Sequence, residues 1–68
     1  MYIVKHKKKL LGTAKTVKEA IQLVLNEWVR LDPELEVDAD SAESLVPAVE
    51  RSVAHGMWKW EGSSIQRA

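Results

Sequence analysis

From Thr16 to Leu31 the chain reads TVKEAIQLVLNEWVRL, in which Val17, Ala20, Ile21, Val24, Leu25, Trp28 and Leu31 recur at three- and four-residue intervals. That spacing predicts an amphipathic core helix with Glu19, Gln22, Asn26 and Arg30 on the opposite side. Thr16 and Glu19 have the spacing of a capping box, in which each side chain accepts a backbone N–H near the helix start. Asp32-Pro33 ends the helix, because proline pushes its predecessor out of the helical region. Leu23 falls roughly 130 degrees from the centre of the apolar stripe, among Glu19, Glu27 and Arg30. With Val29 on the other flank, the helix is apolar beyond one face, which suits a second contact between subunits or with a partner.

Ahead of this helix, Tyr2-Ile3-Val4 and Leu10 to Ala14 are β-prone runs joined by Lys5-His6-Lys7-Lys8-Lys9, and together they predict a β-hairpin. No glycine marks a two-residue turn there, so the loop type stays open. Gly12 predicts a bulge or a close backbone approach under the following helix. After the helix, residues 33 to 44 read as an acidic connection, with Leu35 and Val37 alternating with Glu34, Glu36 and Asp38. Leu45, Ala48, Val49, Ser52 and Val53 form a second helical stripe ending near His55-Gly56. Pro47 favours a short helix capped by Ser44, which places the proline in the first turn; a start near Ser41 would require a kink. Met57 to Glu61 alternates with strand period, Gly62-Ser63 reads as a turn, and Ser64 to Arg67 offers a fourth short strand.

The predicted fold class is α+β: one domain over residues 1–68, with a small antiparallel sheet in the order β-β-α-α-β, a fourth short strand optional, and two helices packed on one face. A chain of this size buries only roughly 60% of its unfolded surface, and it has no cysteine for disulfides or thiolate metal sites. A homodimer is the expected remedy. The chain has no apolar run of membrane-spanning length and no secretory leader pattern, so a cytoplasmic location is expected. Charge balances to zero but is unevenly placed: Lys5, Lys7, Lys8, Lys9, Lys15 and Lys18 precede the first acid, and every charge from Asp32 to Glu50 is negative.

Catalytic patterns are absent. His6 and His55 have no ligand-spaced partner, Asp38-Ala39-Asp40 lacks the glycine and distal glutamate of a calcium loop, and glycines 12, 56 and 62 form no phosphate loop. Serines 41, 44, 52, 63 and 64 have no base near them in sequence. No catalytic residue, metal or cofactor is expected, and the chain is not expected to be an enzyme. Trp58 and Trp60 share one side of their strand. Either they lie against the helices, or they sit on the uncovered sheet face with Tyr2 as a stacking platform or oligomer contact.

Two function classes follow. In the first, Glu34, Glu36, Asp38, Asp40 and Glu43, together with the open sheet face, bind and block a larger protein partner, with the carboxylate row imitating phosphates in a basic groove. In the second, Lys7, Lys8, Lys9, Trp58, Trp60 and Arg67 hold a nucleotide or small anion at a homo-oligomer interface. The acidic middle disfavours duplex nucleic acid. The phrase Thr16-Val17-Lys18-Glu19-Ala20-Ile21 after a short hairpin resembles the strand-to-helix junction of several small α+β families, including the Hic-type antitoxins. In size and lack of catalytic residues the chain is similar to small phage-encoded inhibitors of bacterial defence systems, which implies an inhibitor or adaptor role without assigning residues to it.

Overall fold

A computed structural model of the chain describes residues 1–37 and 39–68. Its elements are β1 (Tyr2–His6), β2 (Lys9–Ala14), α1 (Val17–Leu31), α2 (Ala39–Ala54), β3 (Met57–Trp60) and β4 (Ser63–Arg67). The four strands form one antiparallel sheet in the order β2-β1-β4-β3, so the fourth strand exists and lies between the first and third. The fold is α+β in the order β-β-α-α-β-β.

Registers sort the side chains by face. Gly12, Val4, Ile65 and Trp58 form one row across all four strands, and Val4, Ile65 and Trp58 are buried against the helices. Strand alternation puts Ala14, Tyr2 and Arg67 on that face at one end, and Lys9, His6, Ser63 and Trp60 at the other. The uncovered face carries Thr13, Ile3, Gln66 and Met57 in one row and Leu10, Lys5, Ser64 and Lys59 in the next. Tyr2, Trp58 and Trp60 therefore lie on the helix side, and the aromatic platform on the open face is replaced by aliphatic side chains and lysines.

Both hairpin turns are tight. Lys7, at φ 57, occupies a two-residue loop without glycine, while Glu61 at φ 50 and Gly62 at φ 84 have the paired positive angles of a type I′ turn. The second turn is thus Glu61-Gly62, and Ser63 already belongs to the strand. Between the β1 pairs Val4↔Gly12 and Lys5↔Leu10, Leu11 is an extra residue that bulges β2. Gly12, at φ 147, takes a conformation closed to most side chains, and a Cβ there would lie 3.7 Å from Leu23.

Thr16 caps α1 by accepting the Glu19 N–H at 3.1 Å, while the Glu19 carboxylate accepts from the Lys15 N–H, one residue before the cap. Val17, Ala20, Ile21, Val24 and Leu25 are buried as the spacing predicts, but Leu31 is exposed and Glu27 is buried. The Leu23–Glu27 flank turns inward because α1 extends over β2, meeting Gly12 and Lys9. The second helix departs further from its prediction. It starts at Ala39, not after Ser44, and carries Pro47 in its interior. Ser44 is not a cap; its hydroxyl donates to the Asp40 carbonyl at 2.7 Å. Ala42 is buried while Ala48 is exposed, so the inward stripe runs Ala42, Leu45, Val46, Val49, Val53, with Leu45 and Val46 partly buried. Core contacts on both sides of the proline outweigh its missing hydrogen bond.

Candidate functional site

Where the two hairpin tips meet the C-terminal turn of α1, backbone and side-chain bonds tie three elements together. The Lys7 N–H donates to the Gly62 carbonyl at 2.6 Å, which fixes one tip against the other. The Ser63 hydroxyl, only 1% exposed, accepts the Trp28 indole N–H at 2.8 Å and lies 2.8 Å from His6 Nδ1. Either histidine tautomer satisfies this contact: the hydroxyl donates to a bare Nδ1, or a protonated Nδ1 donates to its second lone pair. The hydroxyl is closed off from solvent and holds side chains in place; it is not an exposed nucleophile.

Above this hub lies a shallow, widely open cleft of about 410 Å³ lined by His6, Trp28, Leu31, Asp32, Leu35, Trp60 and Glu61. Its apolar rim is open to solvent, with Leu31 54%, Leu35 38% and Trp60 59% exposed. The connection after α1 forms one wall. Asp32 Oδ1 accepts the Glu34 N–H and the Asp32 carbonyl accepts the Leu35 N–H, and these two turns set Leu35 beside the cleft between Glu34 and Glu36.

His6 and Leu31 also border a neighbouring open depression of about 500 Å³ with Lys7, Lys8, Lys9, Glu27 and Arg30. Here Glu27, Arg30 and Lys9 are already paired, and Lys7 and Lys8 form no ion pair among the described residues. Arg30 Nε and Nη2 donate to Glu27 Oε1 and Oε2 at 2.7 and 2.9 Å, and Lys9 Nζ stands 3.6 Å from Oε2. The bidentate bonds from Arg30, helped by the charges of Arg30 and Lys9 and opposed by burial, lower the Glu27 carboxyl from 4.5 to about 2. Glu27 in turn raises Arg30 above its ordinary value.

The residues singled out from sequence are dispersed. Glu34, Glu36 and Asp40 are exposed, Glu43 is exposed but pairs with Lys18 at 3.0 Å, and Asp38 lies outside the described residues. Lys7, Lys8 and Lys9 come together at the first tip, and Lys7 also borders a cavity of about 390 Å³ with Trp60 and Lys59. Trp58 is 7% exposed and belongs to the core. Arg67 pairs with Tyr2 at the far end of the sheet, away from Lys7, Lys8 and Lys9. The sequence pattern gives His6 no metal-ligand partner, Ser63 no base and Trp28 a place on the core stripe, and only the β1–β4 pairing brings His6 to Ser63.

Among the described residues no three His, Cys, Asp or Glu side chains converge as metal ligands, and no helix is long and apolar enough to cross a membrane. No protein-family model, curated protein or solved structure matches the chain.

Proposed function

We propose that this protein is a non-enzymatic interaction module, an inhibitor or adaptor that engages a larger protein through the cleft at its hairpin tips. One observation carries the reading: of the large apolar side chains that stay exposed, Leu31, Leu35 and Trp60 gather around a single shallow concavity. The acidic connection supplies part of that surface through Asp32 and Leu35, with the exposed Glu34 and Glu36 next to Leu35 in the chain. A peptide-display selection on the wild-type chain, with Trp60→Ala as the counter-selection, tests the reading. Peptides that bind the first and not the second support it; enrichment of none removes it.

The uncovered sheet face, with Leu10 exposed on one edge strand beside Lys5 and Met57 exposed on the other edge strand near Lys59, is the surface available to a second copy. Native mass measurement addresses that part separately, since a monomer at micromolar concentration removes the dimer and leaves the cleft intact.

A nucleotide or small-anion site is the second reading, favoured by the meeting of Lys7, Lys8 and Lys9 with the neighbourhood of Trp60. It is the weaker of the two, because Glu27 occupies Arg30 and Lys9 and Arg67 is remote. Saturable quenching of tryptophan fluorescence by ATP, abolished in Lys7→Ala/Lys8→Ala, would reverse this order.

A further inference from the structure

The cleft's chemistry narrows the partner, on the footing of the interaction reading above. No buried side-chain polar atom among the described residues lacks a hydrogen-bond partner, and Trp28 and Ser63 are satisfied by each other and by His6. The floor therefore asks for an apolar group. Discrimination must come from the rim. Asp32 and Glu61 line the cleft, Glu34 and Glu36 flank Leu35, and none of these four carboxylates forms an ion pair among the described residues. Among the described residues no lysine or arginine lines the cleft itself: Lys7, Lys8, Lys9 and Arg30 border the depression on one side, where Glu27 engages Lys9 and Arg30, and Lys7 and Lys59 border the one on the other side of Trp60. Trp60 adds an exposed indole face, on which a guanidinium stacks favourably.

We infer that the cleft receives a basic amphipathic protein segment: an apolar anchor side chain seated against Trp28, Leu31, Leu35 and Trp60, with flanking arginine or lysine residues meeting Asp32, Glu34, Glu36 and Glu61. A phosphate-bearing polymer is disfavoured at the same place, because its charges would face those carboxylates. Complementary rim charges speed association and select the partner, while the anchor supplies the contact area.

The test uses fluorescence anisotropy of short labelled peptides with one central leucine or tryptophan, flanked by arginines in one probe and by glutamates in another. A third probe keeps the arginines but has alanine in place of the anchor. The arginine probe with its anchor is expected to bind, and Glu34→Lys/Glu36→Lys is expected to weaken it about tenfold, equivalent to about 1.4 kcal/mol. Trp60→Ala or Leu35→Ala should weaken it as well, with circular dichroism confirming that each variant is folded. Equal binding of the alanine-anchored probe would reduce the effect to unspecific charge attraction and overturn the inference. Preference for the glutamate probe, lost in Trp60→Ala, would overturn the partner class while upholding the cleft as an interaction site. Binding of no probe overturns the inference, and the display selection then decides the interaction reading independently.

Discussion

Trp28 on α1 gives its indole N–H to the Ser63 hydroxyl on β4, 2.8 Å away, and this bond ties the end of the first helix to the second hairpin. Removing the hydroxyl leaves a half-buried N–H without its acceptor and deprives His6 of its partner. Ser63→Ala is therefore expected to cost roughly 1–3 kcal/mol. For a domain of this size each kcal/mol corresponds to about 4–8 °C in the melting midpoint. Trp28→Phe keeps most of the ring but removes the donor, so the double variant should lose less than the sum of the two singles. Strict additivity in thermal melts would show that the bond contributes nothing.

Glu27 makes stability depend on acid. Its carboxyl is lowered from 4.5 to about 2 in the folded chain, so the unfolded chain takes up the proton first as pH falls. The stabilisation is complete above the unfolded value and disappears as pH falls from about 4.5 through about 2. Glu27→Gln should be less stable than wild type at neutral pH, with the gap closing across that window. Urea midpoints of both proteins at about pH 7, 4 and 2.5 check this. A gap of constant size would mean that the loss at neutral pH is one of packing and not of charge.

How much was legible in the sequence depended on the reach of each signal. The first helix was readable because its cap at Thr16 and its apolar spacing lie within a few residues of one another. The start of the second was obscured because a local rule about Pro47 competed with burial of Ala42, which depends on the rest of the fold. Glu27 looked like an outward residue on a helical wheel, since nothing local reveals that α1 overhangs β2. The hub of the candidate site was hidden most deeply. His6 and Ser63 stand fifty-seven residues apart, and their contact depends on β4 inserting beside β1. The acidic connection was visible as composition, but its place beside an aromatic cleft was not.

The two tryptophans of β3 should separate stability from binding. Trp58 is 7% exposed beside Ile65 in the core, whereas Trp60 is 59% exposed at the cleft. Trp58→Ala is expected to cost roughly 3–5 kcal/mol, enough to unfold much of a marginal domain. Trp60→Ala should stay within roughly 1 kcal/mol of wild type while losing affinity for a cleft ligand. Denaturant titrations followed by circular dichroism check the first pair of values, and anisotropy with the arginine-flanked probe checks the last. A Trp60→Ala variant as unstable as Trp58→Ala would make Trp60 a core residue.

Pro47 is a cost the second helix carries for no visible packing return. It is exposed, and it withholds the amide that would otherwise donate to the Glu43 carbonyl one turn earlier. Alanine at this position restores the donor, removes the ring from the preceding turn and has the highest helix propensity. Pro47→Ala is expected to stabilise the protein by roughly 1–3 kcal/mol, read as a higher melting midpoint and slightly greater helicity. Affinity for the arginine-flanked probe should not change, because Pro47 is not among the residues lining the cleft. A lower midpoint would mean that the proline stabilises this helix by restricting the unfolded chain more than it costs the folded one.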